Sequence, residues 1–355
     1  MAVGLDDVVA AETVLSHVDG QAGRLVLRGF ELEELAGRRS YEDVLALLWD
    51  GFVAIDGLPA ALGQARAAAF AILEPRLGAL DGLSAIEAVR AGLALLPDAA
   101  TVPHHLLATA MTAVTAAAAA RRAAGEAAVA PDPVLGHAAD FLRMLHGRAA
   151  PAAHVRALDT YLVTIADHGL NASTFAARVV ASTRAGLLSA VVAGVCALKG
   201  PLHGGAPGPV LDMLDEIGPP ENVEPWLAAA LDRGDRLMGF GHRVYRVRDP
   251  RADVLKRVVM ELRGEANRIR FAEQVEATAI RLLAQRKQGR GLDTNVEFYT
   301  ALLLEALALP RTLFTPIFAV GRVGGWAAHV LEQEESRRII RPQSAYVGPE
   351  PRQAA

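Results

Sequence analysis

Apolar residues recur along most of this 355-residue chain with a period near 3.6, and the runs start and stop where helices start and stop. SYEDVLALLWDG opens on Ser40 as a candidate cap and closes at Gly51. LSAIEAVRAGLALLPD pairs Ser84 with Glu87 as a capping box and ends at Pro97. The same pattern predicts helices over about 58–77, 103–124, 133–147, 152–167, 171–199, 207–217, 223–232, 251–285, 294–308 and 311–335. Only residues 13–29 read as strand, two β-branched runs about a DGQAG turn that form a small N-terminal β-hairpin. The fold class is therefore all-α. A chain of this length suits two domains, or one large domain carrying an insertion.

Glycine and proline interrupt the helices at KGPLHGGAPGP (199–209), DRGDRLMGFGH (232–242) and RKQGRGLDTN (286–295), which predicts hinges or backbone set close to a ligand. The block of helices over 207–310, bounded by such a cluster and by Pro310, reads as a second domain inserted into the first, which then comprises 1–206 and 311–355. The Ala-rich stretch 115–133 reads as a helix end followed by a surface loop. A net charge of −4 without a basic block excludes a nucleic-acid footprint and gives no reason to expect a membrane surface. With no leader pattern and no uncharged apolar run of membrane-spanning length, the expectation is a soluble, cytoplasmic protein. Of the 36 basic residues only Lys199, Lys256 and Lys287 are lysines, so positive charge here is almost all guanidinium, suited to carboxylates and phosphates. The single cysteine, Cys196, reads as a small buried core residue of LLSAVVAGVCALKG.

One acid is out of place. In DTNVEFYTALLLEAL (293–307), Glu297 opens a helix apolar on nearly every side, and such a helix is buried. Thr294 and Glu297 fit a capping box, and an acid at a helix start gains from the macrodipole. Desolvation raises its pKa and the dipole lowers it, so the sequence leaves the net sign, and the choice between cap and chemistry, open.

Three of the ten histidines sit in glycine-flanked, irregular backbone: His168 in ADHGLNAS, His203 in PLHGGAP and His242 in GFGHRVY. Histidine is the side chain most easily poised for proton transfer near neutral pH, and adjacent glycine lets a ligand approach the main chain. After His242, four arginines (Arg243, Arg246, Arg248, Arg251) fall within nine residues, and Asp249-Pro250 reads as a helix cap and first position. Arg322 stands in an otherwise apolar helical segment, where a guanidinium calls for an anionic partner. The nucleophile-elbow, P-loop, zincin and dinucleotide fingerprints are absent, and His104-His105 lacks the spacing of a metal site. The sequon at Asn171 carries no weight without a leader sequence.

PLHGGA, GFGHRVYRVRDPRA and TNVEFY, in that order, followed by GRVGGWAAHVLEQ and RPQSAYVG, resemble the citrate synthase family, and the likeness extends to GLDDVVAAETVLSHVDGQAGRLVLRG at the N-terminus. NVEF stands here where most of the family has NVDF, as in a second citrate synthase type, and Gln343 stands where many members carry an arginine. The resemblance implies an all-α, two-domain homodimer that condenses acetyl-CoA with oxaloacetate and hydrolyses the thioester to citrate and CoA, with no metal or redox cofactor. It implies that His203 polarises the acetyl carbonyl, His242 donates to the ketone, and Glu297 takes the methyl proton. His168, Arg251 and Arg322 would hold the dicarboxylate together with Arg341 from the partner subunit, and Arg246 would face CoA phosphate. Two other readings stay open: a 2-methylcitrate synthase using propionyl-CoA, and a low-turnover acyl-CoA or dicarboxylate-binding protein on the same scaffold.

Overall fold

The computed structural model describes residues 8–54, 56–204, 207–242, 244–245, 247–262, 266–286 and 292–350. The hairpin forms as β1 (Ser16–Asp19) and β2 (Arg24–Leu27), with Val18 opposite Leu25, and a two-residue β3 (Phe30–Glu31) adds a third antiparallel strand. Helices follow: α1 (Leu32–Leu35), α2 (Tyr41–Trp49), α3 (Leu58–Leu73), α4 (Ala85–Ala94), α5 (His104–Ala123), α6 (His137–His146), α7 (Ala152–Ile165) and α8 (Ala172–Ser182). After them come α9 (Leu187–Leu198), α10 (Pro207–Ile217), α11 (Val223–Asp232), α12 (Pro250–Glu261), α13 (Ala266–Arg286), α14 (Val296–Ala306) and α15 (Phe314–Ser336). Ser40 caps α2 as expected, within a capping box completed by Asp43, and the capping box expected of Ser84 with Glu87 is present. None of the described helices is long and apolar enough to cross a membrane.

Two expected helices are each broken. The stretch 171–199 divides at Thr183–Gly186, where Arg184 (φ 63°) and Gly186 (φ 86°) take left-handed backbone, and the chain folds α9 back on α8. The stretch 251–285 leaves helical geometry at Leu262 (ψ 90°), which ends α12, and resumes in α13. Periodicity runs through both breaks because each flanking helix buries its own apolar stripe. Cys196 is exposed, contrary to expectation: α9 buries Leu187, Leu188, Val191, Val195 and Leu198, and the thiol lies on the opposite face.

The core is organised around α15, buried over most of its 23 residues. Tyr41 shares its hydroxyl proton between the carbonyls of Val320 (3.0 Å) and Gly321 (2.9 Å), and Trp49 Nε1 donates to Gly324 O at 3.0 Å. Glycines let neighbours approach this closely. A Cβ at Gly321 would run into Ile165 of α7, one at Gly324 into Leu45 of α2, and one at Gly325 into the carbonyl of Ala166. Replacing Gly325 with Ala improves intrinsic helix propensity by about 1 kcal/mol, yet overpacking against a fixed carbonyl costs about 1–3 kcal/mol or more. Gly325→Ala is therefore expected to lower the urea midpoint; a variant as stable as the parent would refute this packing role.

Candidate active site

Short backbone pairing joins two segments that sequence reading kept apart. Phe240 bridges Thr294, Gly241 N donates to Asp293 O (2.8 Å), Asn295 N to Gly239 O (2.9 Å), and Asn295 Nδ2 to Gly241 O (2.8 Å). Gly239 (φ 85°) and Gly241 (φ 78°) hold left-handed backbone, and a Cβ at Gly239 would lie 2.8 Å from the Phe298 ring. His242 and the start of α14 thereby become neighbours. The hairpin turn closes over the same region, since Gly20 abuts the Val244 carbonyl.

Asp249 ties the parts together. It caps α12 as expected, with Oδ1 accepting from Arg251 N (3.1 Å) and Arg251 Nε (3.0 Å), while Oδ2 accepts from Arg251 Nη2 (2.8 Å) and from Val296 N (3.1 Å), the first amide of α14. Both Asp249 and Arg251 are buried, so the guanidinium is held by two parallel bonds in a low-dielectric setting.

The capping box expected between Thr294 and Glu297 does not form. Asn295 is the cap, accepting from Glu297 N at 2.9 Å, and the Thr294 hydroxyl turns away to Glu276 Oε1 at 2.7 Å. Asn295 displaces threonine because its amide also binds Gly241 and so fixes the turn. The Glu297 carboxyl is left free of the cap. The residue is half-buried, but its Oε2 is sealed from solvent and has no hydrogen-bond partner. Burial raises its pKa and Asp249 adds to the rise, against the opposing pull of Arg251 and Arg322, to about 7. The sign left open by sequence is upward.

Around this acid the imidazoles are neutral. His242 Nδ1 accepts from the amides of Val244 (3.0 Å) and Tyr245 (3.1 Å), which places the ring proton on Nε2, 3.2 Å from Arg251 Nη2. These are two donors side by side, matched to one shared acceptor such as a carbonyl or carboxylate oxygen. Burial, then Arg251, lowers the His242 pKa to about 4. His168 lies next to it, ring centroids 5.7 Å apart, with Nε2 at 3.2 Å from the Tyr245 hydroxyl, and burial among Arg251, Arg322 and His242 holds its pKa well below the usual range. On the opposite side Arg322, fully enclosed in α15, donates through Nε to Ile165 O (2.6 Å) and stacks on the Phe318 ring at 4.8 Å. Its direct contacts are this backbone carbonyl and an aromatic face, because α7 ends against this point of α15, while the anionic groups Asp167 and Glu297 act on it electrostatically. Burial lowers the Arg322 pKa to about 10, so it remains a cation at neutral pH.

His203 reaches the same region past Phe318, whose ring lies 6.5 Å from the imidazole. Its Nε2 is 2.8 Å from Ser173 Oγ, which also accepts from Trp326 Nε1 at 3.1 Å. Burial and Arg322 lower its pKa to about 4. Ser173 and Asn171 of the sequon have structural duties instead: Asn171 Oδ1 caps α8 through the amides of Ser173 and Thr174. Arg341 is not in this cluster within one protomer; it is exposed in the C-terminal segment, beside an open groove of about 850 Å³. Arg246, like Arg243, lies outside the described residues.

Sequence reading missed Tyr245, which stands between His168 and His242 and offers its ring to Arg251 at 5.8 Å. It also missed Tyr161 of α7, whose fully buried hydroxyl has no hydrogen-bond partner and interacts electrostatically with Glu297, Arg322 and Arg251. Periodicity gives an apolar helix position no sign of this. No cluster of three or more His, Cys, Asp or Glu among the described residues is arranged to hold a metal ion. What the site offers is one acid near its neutral point, neutral imidazole donors and two buried guanidinium groups.

Chemically, an acid of this kind beside two buried guanidinium groups can take a proton next to a bound anion. The family profile described as "Citrate synthase, C-terminal domain" matches residues 4–343. The chain is 38% identical over 371 residues to the citrate synthase of Haloferax volcanii (97% of this chain, 95% of that protein) and 36% identical over 361 residues to the 2-methylcitrate synthase of Mycobacterium tuberculosis (98% and 91%). It superposes with a TM-score of 0.88 and 29% identity on the Thermoplasma acidophilum citrate synthase in ternary complex with carboxymethyl coenzyme A and oxaloacetate (99% of this chain, 97% of that one). The chain belongs to the citrate synthase family.

The Glu297 pKa has a consequence for stability. An acid raised from 4.5 to about 7 contributes stability that is fully present below pH 4.5 and is lost as pH rises through 7. Relative to Glu297→Gln, the ligand-free parent should lose up to about 3 kcal/mol across that window, at about 1.36 kcal/mol per unit. Urea unfolding at a series of pH values tests this, and parallel profiles for the two proteins would exclude the raised pKa.

Proposed function

We propose that this enzyme condenses acetyl-CoA with oxaloacetate and hydrolyses the resulting thioester to citrate and CoA. The observation that carries this reading is the Glu297 carboxyl, unpartnered at Oε2, with a pKa of about 7, beside the donor pair of His242 Nε2 and Arg251 Nη2. Glu297 takes a proton from the thioester methyl while His203 donates to the acetyl oxygen. His203 does so from Nδ1 in the tautomer whose Nε2 accepts the Ser173 hydroxyl proton, a proton otherwise given to Asn171 Oδ1 at 2.8 Å. The enol carbon then attacks the ketone, whose oxygen receives the His242 Nε2 proton under the charge of Arg251. Burial and the neighbouring guanidinium groups lower the pKa of both rings to about 4, so each stays neutral at pH 7 and offers an N–H as a hydrogen-bond donor to the developing oxyanion.

Arg251, Arg322 and His168 hold the dicarboxylate, joined by the partner subunit's Arg341 in a homodimer, and Arg246 faces CoA phosphate. Residues 207–310 act as the small domain that closes over the bound substrates, excluding water from the proton transfer. The acyl group is acetyl; a relative that is a 2-methylcitrate synthase makes propionyl-CoA the natural competitor. One methylene is worth about 1–3 kcal/mol in such a pocket, so kcat/KM should favour acetyl-CoA by at least tenfold.

Release of CoA thiol on mixing acetyl-CoA and oxaloacetate with the dimer tests the assignment, and folded protein that releases none ends it. Glu297→Gln should lower kcat by about 10²–10⁴. Glu297→Asp should also be slower than the parent, because the carboxylate retreats by about one C–C bond, ~1.5 Å; a faster Asp variant would favour a low-turnover binding protein. For the parent, kcat/KM should fall as pH drops below about 7, where the base becomes protonated, and a profile flat to pH 5 would exclude Glu297 as that base.

A further inference from the structure

Behind the substrate cluster lies a second set of buried polar groups that the reaction itself does not use. His329, fully buried in α15, places Nδ1 at 3.0 Å from Arg178 Nη1 and Nε2 at 3.1 Å from Asp167 Oδ1. A guanidinium only donates, so Nδ1 is the acceptor and the ring proton sits on Nε2, directed at Asp167. The other Asp167 oxygen accepts from the Ser16 hydroxyl of β1, and Ser16 Oγ accepts in turn from Gly169 N at 3.0 Å. Asp167 and Gly169 are the two chain neighbours of His168. The turn that presents His168 is thus closed from behind into a ring through Ser16, and that ring is anchored on His329.

The far end of the relay is equally tied. Arg178 donates Nε to Gln333 Oε1 at 3.0 Å and pairs with Glu332, whose other oxygen accepts from Val14 N at 2.8 Å. The contacts run in order from the Asp167 carboxylate through the His329 ring and the Arg178 guanidinium to the Glu332 carboxylate. Each member is satisfied only in the tautomer and rotamer drawn by its neighbours, and such networks specify one geometry. The Asp167 carboxyl, held below the usual carboxylate range by His329 and Arg322 despite its burial, keeps its full charge in this role.

We propose that Ser16, Asp167, His329 and Arg178 form a positioning relay that fixes the His168 imidazole, so that affinity for the dicarboxylate substrate is set by groups that never touch it. The proposal rests on His168 as a dicarboxylate ligand, as assigned above. Its signature is selective: the relay acts on one substrate and not on the other. His329→Leu and Ser16→Ala should each raise KM for oxaloacetate at least fivefold, with KM for acetyl-CoA within twofold and kcat within threefold of the parent. His329→Gln, whose amide can still donate to Asp167, should recover most of the loss. Leu73→Ala in α3, a fully buried apolar truncation, should lower the melting temperature and leave the ratio of the two KM values unchanged.

Ser16 is small and half-buried, so its alanine variant keeps the test decisive should His329→Leu fail to fold. Parental KM for oxaloacetate in Ser16→Ala, or both KM values rising together in step with lost thermal stability, would overturn the relay. The rise in melting temperature caused by oxaloacetate alone reads the same comparison without turnover. A parent that is stabilised by oxaloacetate but releases no CoA defeats the assigned reaction and leaves this comparison standing; a parent that oxaloacetate does not stabilise defeats both.

Discussion

The Asp249 carboxylate is the constraint on which the site depends. Its two oxygens accept four hydrogen bonds, which start α12, hold Arg251 in a fork and receive the first amide of α14. A buried carboxylate is costly to desolvate unless every lone pair is used, and here each bond that meets this demand also places a working part. Arg251 is aimed beside His242, and the α14 start is drawn close enough that Glu297 feels the negative charge of Asp249. One residue thus couples the placement of Arg251 to the proton affinity of Glu297.

Burial then sorts the ionisable groups into complementary states. The same desolvation that raises the Glu297 carboxyl toward 7 drives His203 and His242 down to about 4, so at neutral pH the carboxyl is about half ionised and the two imidazoles are uncharged. Guanidinium groups resist this pressure, and Arg322 stays charged even when enclosed. That is a physical reason for arginine rather than lysine at these positions, beyond the scarcity of lysine in the chain as a whole.

The scaffold delivers these parts through α15. Its glycines admit α7 and the Ala166 carbonyl to backbone distance, which sets the segment carrying Asp167 and His168 against Arg322, Trp326 and His329. Three side chains spaced along one helix therefore face three different parts of the site: Arg322 faces the anion cradle, Trp326 supports His203 through Ser173, and His329 backs His168 through Asp167. Core packing and site geometry are the same set of contacts here.

Much of this was legible in the residues. Helical periodicity, the caps at Ser40, Ser84 and Asp249 and the hairpin at 13–29 are local properties, carried by spacing and by side chains that satisfy their own backbone. The glycine-flanked histidines and clustered arginines marked a site, and His168, His203, His242, Arg251, Arg322 and Glu297 do come together. Long-range contact is what spacing cannot carry. Sequence spacing pointed to Thr294 as the cap of α14, and Asn295 takes that place because the deciding bonds run from Asn295 to Gly241 and from Thr294 to Glu276. Spacing could not show that Cys196 faces outward, that Tyr161 and Tyr245 border the acid and the imidazoles, or that His329 stands behind His168. By itself the sequence determined the helices, their caps and the chemical types available; the tertiary structure alone decided which of those groups lost water and which neighbours they met. Proton affinity follows from those two facts, and so the upward shift of Glu297 belongs to the fold.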